Sequence, residues 1–219
     1  MSNISSETTF TASYSNVSAT CTVVYSQYIF YDKADANNLS QYTTICRLGS
    51  NSGSLVMNPS YSNQAYTWLA SGGDGWVGYA LPNGRGSDNV RFSLEMYKDS
   101  TSAYVQIIIG VTDILVQTTE STAKEDMVMV RGDNKTQVMH NNNWEIWTTS
   151  NAITSNAWYK MVFEKSGTSF NYELYDMNGT LKKSYSWTGN SYDNPYFVIM
   201  TNGNNSGTRQ IREIKLESL

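Results

Sequence analysis

The run "NAWYKMVFEKSGTSFNYELYDMNGTLKKSYSW", Asn156 to Trp187, decides the fold. Tyr159, Met161 and Phe163 share one parity, and Trp158, Lys160, Val162 and Glu164 share the other. That is the period of a strand, whose successive side chains point to opposite faces. "KSGTS" interrupts it with a short glycine turn. After it Phe170, Tyr172 and Leu174 alternate with Asn171, Glu173 and Tyr175. "DMNG" supplies the next turn, where Gly179 is free to take a positive φ. Leu181, Lys183, Tyr185 and Trp187 then lie on a third strand. Three strands joined by tight turns make an antiparallel meander with one core-facing side. Its aromatic residues are therefore sheet packing, and a ligand site is expected on the loops that precede it.

The same period recurs along the chain. Strands are expected from Thr8–Tyr14 through Ser54–Met57, Val90–Tyr97 and Met127–Val130 to Gln210–Glu217, bounded by Gly, Asn, Asp and Ser. "AYVQIIIGVTD" breaks the alternation at Ile107, Ile108 and Ile109, which predicts a central strand covered on both sides. Only "ESTAKEDMVMV" offers a short helical turn before a strand. Many strands, polar turns and just three prolines in 219 residues predict one all-β domain over 1–219, a sandwich of two antiparallel sheets.

Composition narrows the function. Ser, Thr and Asn make up about a third of the chain, yet 16 Tyr, 6 Trp and 6 Phe supply the apolar mass of a core. A net charge of −4 excludes a nucleic-acid partner, because phosphate binding needs a basic stripe. No run reaches the ~18 apolar residues of a membrane span, so no membrane insertion is expected. The N-terminus carries no signal-peptide pattern, which leaves a cytosolic protein, part of a larger exported one, or a virion component. Cys21 and Cys46 read as buried thiols, with a bridge between neighbouring strands as the alternative.

Stretches in the second half carry a resemblance. "NVRFSLEMYKDSTSAYVQIIIGVTD", the meander from "WYKMVFEKSG", then "PYFVIMTNG" and the closing "IREIKLES" resemble the concanavalin A-like jelly-roll superfamily, with its lectin, laminin-G-like and glucanase sandwiches. The resemblance is clearest over residues 90–219 and implies a jelly-roll β-sandwich. The Ser/Thr/Asn-rich style also resembles phage and archaeal-virus tail or adhesion domains, which implies a place on a virion surface or extracellular assembly.

Chemistry is sparse. Glycanases of this fold are implied to carry a Glu-x-Asp-x-x-Glu strand, and no such motif is present. Glu95 and Asp99 share a parity but lie ~13 Å apart along a strand, too far to act as a pair. Glu125 and Asp126 point to opposite faces. The single His140 excludes any site that needs two histidines. Arg131-Gly132-Asp133 reads as a turn leaving a strand rather than as an adhesive tripeptide. No catalytic residue is expected.

Aromatic residues near polar loops give the best functional signal. A sugar ring stacks its C–H face on Trp or Tyr while amides and carboxylates bond its hydroxyls. Trp76 lies in "GGDGWVGY" and Trp144 follows three asparagines. The expected ligand site is Trp76, Trp144 and Tyr79 with Asp74, Asn83, Arg85, Asn142 and Asn143. The lectin resemblance further implies Ca2+ on the oxygen-rich loops, through Asp74, Asp88 and Asn89. The expected partner is a glycan or cell-surface polymer bound without catalysis, within a homo-oligomer (a trimer) or a larger viral assembly. A structural oligomerising fibre domain, or a polysaccharide hydrolase or lyase without a recognisable motif, is the alternative.

Overall fold

The computed structural model describes residues 6–14, 17–25, 28–48, 56–71, 75–82, 89–99, 106–117, 123–140, 143–148, 153–202 and 208–219. The strands in chain order are β1 (Ser6–Tyr14), β2 (Val17–Tyr25), β3 (Tyr28–Asp32), β4 (Thr43–Leu48), β5 (Val56–Ser62) and β6 (Ala65–Ser71). Then come β7 (Gly75–Ala80), β8 (Asn89–Lys98), β9 (Gln106–Thr112), β10 (Val116–Gln117), β11 (Glu125–Arg131) and β12 (Thr136–His140). The last are β13 (Asn143–Thr148), β14 (Ala157–Ser166), β15 (Ser169–Asp176), β16 (Leu181–Thr188), β17 (Tyr196–Asn202) and β18 (Arg209–Ser218).

Two eight-stranded sheets form the jelly-roll sandwich. Sheet I runs β16-β15-β14-β8-β18-β6-β5, with β3 also paired to β18. Sheet II runs β10-β4-β7-β17-β9-β11-β12-β13. Pairing is antiparallel throughout except between β10 and β4. β1 and β2 pair with each other as a separate hairpin.

The meander folds as its alternation requires. Tyr159, Met161, Phe163, Phe170, Tyr172 and Leu174 all face sheet II and are buried in the main core. Phe170 stacks on Trp187 at 5.3 Å, and Phe92 of sheet I meets Phe197 of sheet II edge-on at 6.2 Å. Each fully buried Phe or Leu here contributes about 1.5–3 kcal/mol. β9 lies between β17 and β11 with every residue buried, as its broken alternation predicts.

Two local expectations differ. Glu125 opens β11 directly, with no helical turn at Ala123 and Lys124; residues 118–122 lie outside the described residues. β5 runs on past Met57 to Ser62. Pro59 is harmless within it, because β5 is an edge strand that does not need the missing N–H on its open side. Asn63 and Gln64, both at positive φ, then close a two-residue hairpin onto β6.

Two buried carboxylates fasten loops to the sandwich. Asp32 accepts hydrogen bonds from the hydroxyls of Tyr42 (2.8 Å) and Tyr66 (2.7 Å), the Ala34 amide and the Asn38 side chain. Asp126 accepts from Trp187 Nε1 (2.8 Å), the Tyr192 hydroxyl (2.9 Å), and the backbone and side-chain nitrogens of Asn190. With so many donors, each charge sits in the interior at tolerable cost. Burial, together with the adjacent carboxylate, drives the Tyr42 and Tyr192 hydroxyls to ionise well above their ordinary range.

Candidate functional site

Sheet II is apolar on both faces. Along β9, β11 and β17 the main core takes Ile107, Ile109, Val128, Val130, Phe197 and Ile199. The residues between them, Ile108, Met127, Met129, Val198 and Met200, form a second cluster with Ile45, Ala80 and Met139. By strand parity that cluster lies on the outer face, away from sheet I. Its members are nevertheless at most 4% exposed.

Curvature accounts for part of that burial. Trp76 in β7 and Trp144 in β13 both pack on the second cluster, their ring centroids 6.0 Å apart. Between β7 and β13 stand four strands, so a flat sheet would hold them ~24 Å apart. The outer face of sheet II is therefore a concave surface closed on itself. Two glycines on this face permit the curl. A Cβ on Gly78 would collide with the Ile199 carbonyl oxygen, and one on Gly110 (φ +156°) with that of Asp126. Only glycine lets the neighbouring backbones come so near.

The two tryptophans, half-buried, form the candidate site. Trp76 Nε1 donates to Gln106 Oε1 at 3.4 Å, and the Gln106 carbonyl accepts the Thr201 hydroxyl at 2.8 Å. The Trp144 indole N–H is buried without an acceptor. Beyond Gln106, Arg131 donates to Gln137 Oε1 at 2.9 Å and forks onto both oxygens of Asp133 at 3.0 Å.

Some expected site residues lie elsewhere. Tyr79 has the opposite parity to Trp76: it is 9% exposed, faces the main core and packs on Tyr42 at 5.8 Å. It is removed from the site, because adjacent odd and even positions of β7 serve different faces. Asn143 is exposed but precedes Trp144, which puts it on the other face of β13. Asp74, Asn83, Arg85, Asp88 and Asn142 lie outside the described residues. Asn89 begins β8 in sheet I, and its side-chain oxygen already accepts the Ser166 hydroxyl at 2.8 Å. Among the described residues no three His, Cys, Asp or Glu side chains gather, and two of the three expected calcium ligands, Asp74 and Asp88, lie outside those residues.

The remaining motifs have structural partners. Arg131 and Asp133 of the Arg-Gly-Asp turn are tied to each other, with Lys135 at 3.2 Å from Asp133. The Gly132 carbonyl accepts buried Lys98 at 3.1 Å. Glu95 is paired with Arg212 at 2.7 Å, and Asp99 accepts the Thr208 amide. His140 ends β12 beside Glu145. Cys21 and Cys46 belong to β2 and β4, strands that are not hydrogen-bonded neighbours.

Sequence reasoning missed the outer cluster and its neighbours Gln106, Gln137, Leu115 and Tyr196. The signal was present: "MVMV" and "VIM" are as unbroken as "IIIG".

Comparison with known proteins follows the fold. The structure of SO2946, a protein of unknown function from Shewanella oneidensis MR-1, shares 14% identity at a TM-score of 0.59, covering 86% of each chain. The exoplasmic/lumenal domain of VIP36, bound to Ca2+ and Man3GlcNAc, shares 11% at 0.60, covering 80% of this chain and 88% of that one. The carbohydrate-binding module CBM66 from Bacillus subtilis shares 11% at 0.50, covering 77% and 98%. Such identities speak for fold alone. No curated protein matches the chain. Residues 67–217 match the model of the family described as SO2946-like, C-terminal domain, which spans most of both sheets. The chain belongs to the family of SO2946-like C-terminal domains.

Proposed function

We propose that the chain, residues 1–219, acts as one non-catalytic glycan-binding module whose ligand stacks on Trp76 and Trp144. The observation that carries this reading is the meeting of two half-buried indoles, 6.0 Å apart, on the concave face of sheet II. Aromatic faces are the surface on which a sugar's C–H bonds pack, and concave, mostly apolar surfaces with a few polar groups are where small ligands bind. The neighbours that are carbohydrate-binding or glycan-bound proteins add support. Asp74, Asn83, Arg85 and Asn142 complete the proposal as hydroxyl-binding groups on the flanking loops. Calcium enters it only through Asp74 and Asp88, and would make binding sensitive to EDTA.

A glycan array followed by calorimetry tests the site. Trp76→Ala and Trp144→Ala, checked for folding by circular dichroism, are expected to weaken binding by about 10-fold or more each. Unchanged affinity in both folded variants removes the site. The finer reading, a receptor-binding part of a viral tail or adhesion assembly, draws on the Ser/Thr/Asn-rich composition. Tail or baseplate genes beside this one support it; a sugar-utilisation cluster counts against it.

A further inference from the structure

Gln137 carries donors that the fold leaves unused. β12 places it opposite Met129 on the outer face of sheet II, two residues from Met139, the cross-strand partner of Trp144. It is only 7% exposed, so water reaches it through a small window. Its Oε1 accepts Arg131 Nη1 at 2.9 Å. A guanidinium has no acceptor, so this bond fixes which way the amide points: oxygen toward Arg131, nitrogen away from it. Arg131 is itself held, with Nε and Nη2 forked onto the two oxygens of Asp133 at 3.0 Å. Among the described residues the Gln137 nitrogen, with its two N–H groups, finds no acceptor.

The neighbouring groups decide what would satisfy that nitrogen. Arg131, its side chain 18% exposed, keeps one uncommitted hydrogen on Nη1 and one on Nη2. The capacity left at both residues is therefore donor only. Lys135 also pairs with Asp133, at 3.2 Å, so two cations face one carboxylate and the rim does not repel an anion. A hydroxyl can accept here only by turning its own hydrogen away. A carbonyl or carboxylate oxygen has lone pairs and no hydrogen to place.

We infer that Gln137 is a specificity-determining residue of the proposed glycan site, its amide N–H groups reading an acceptor-only oxygen on the saccharide held at Trp76 and Trp144. The inference rests on the glycan-binding reading. Such an oxygen has two sources in sugar chemistry: the carbonyl of an acetamido group, or the carboxylate of a uronic acid.

Matched ligands test this on the whole chain. Competition binding compares methyl β-D-glucoside with methyl N-acetyl-β-D-glucosaminide and methyl β-D-glucuronide, then the corresponding galacto series. The acetamido sugar is expected to bind about 3-fold to 10-fold tighter than its parent, or the uronide about 10-fold or more. Preference for the acetamido sugar assigns the carbonyl; preference for the uronide that fades with added salt assigns the carboxylate. Gln137→Glu keeps an acceptor for Arg131 but removes both donors, and Gln137→Met removes them without adding a charge. Both variants, checked for folding by circular dichroism, are expected to lose the preference. Equal affinities in the wild-type chain, or a preference that survives both substitutions, overturn the inference and leave the glycan reading standing. Absence of any glycan binding on the array overturns both.

Discussion

The outer faces of the two sheets solve the same problem in opposite ways. Sheet I presents ion pairs: Arg91 with Glu164 and Arg212 with Glu95, each at 2.7 Å, and Lys215 with Glu213 at 2.9 Å. Its aromatic side chains there are capped by cations, Arg212 lying 4.1 Å over Trp158 and Lys215 4.9 Å over Tyr31. Sheet II presents methionine, isoleucine and valine, buried in part by the curl that brings Trp76 and Trp144 together. One face is stabilised by solvated pairs that tolerate change. The other depends on shape, and shape depends on two glycines.

The largest effect should therefore come from Gly78→Ala. Its new Cβ meets backbone rather than a movable side chain, so a loss of about 4 kcal/mol or more, or failure to fold, is expected in urea denaturation. A folded Gly78→Ala protein of unchanged stability would mean that the curl does not need the glycine. Next, Met129→Ser should cost about 2–5 kcal/mol by opening a void in the outer cluster and burying a hydroxyl. Its counterpart on sheet I, Glu164→Ala, should cost no more than about 1 kcal/mol, because an exposed pair is screened by solvent. Equal losses at the two positions would erase the contrast.

Alkaline pH probes both sheets through their tyrosines. Tyr42 bonds Asp32 on sheet I, Tyr192 bonds Asp126 on sheet II, and burial raises the ionisation of each above the ordinary 10.0. The folded chain keeps these protons where the unfolded chain releases them. Stability is thus fully present below about pH 10 and falls above it, by up to about 1.4 kcal/mol per pH unit for each such tyrosine. Denaturation midpoints followed from pH 8 to 11, with tyrosinate absorbance, check the sign; a rise above pH 10 would contradict it. The smallest effect is expected from Tyr172→Phe. Its hydroxyl is buried in the main core without a partner, so removal should be neutral or stabilise by up to about 1 kcal/mol. A loss beyond 1 kcal/mol would reveal a hydrogen bond at that hydroxyl.

Much of this was legible in the sequence. The meander of β14, β15 and β16 follows from its own alternation, since local period and tight turns fix both the strands and the face each residue takes. The centrality of β9 follows from Ile107, Ile108 and Ile109. Of the candidate site, Trp76 and Trp144 were legible as aromatic residues in polar surroundings, while Tyr79 was misassigned because loop context outweighed its parity in β7.

What the sequence by itself determined is the run of strands and, in the meander of β14, β15 and β16, the buried side of each, because a period of two is a local property. Tertiary structure alone decided which strands became neighbours, and so placed Trp144 against Trp76 across four intervening strands. It also decided that Met127, Met129 and Met200 are interior although they lie on an outer face. The physical reason is that strand order and sheet curvature are set by non-local pairing and by close backbone approaches at Gly78 and Gly110, which no short window of sequence contains.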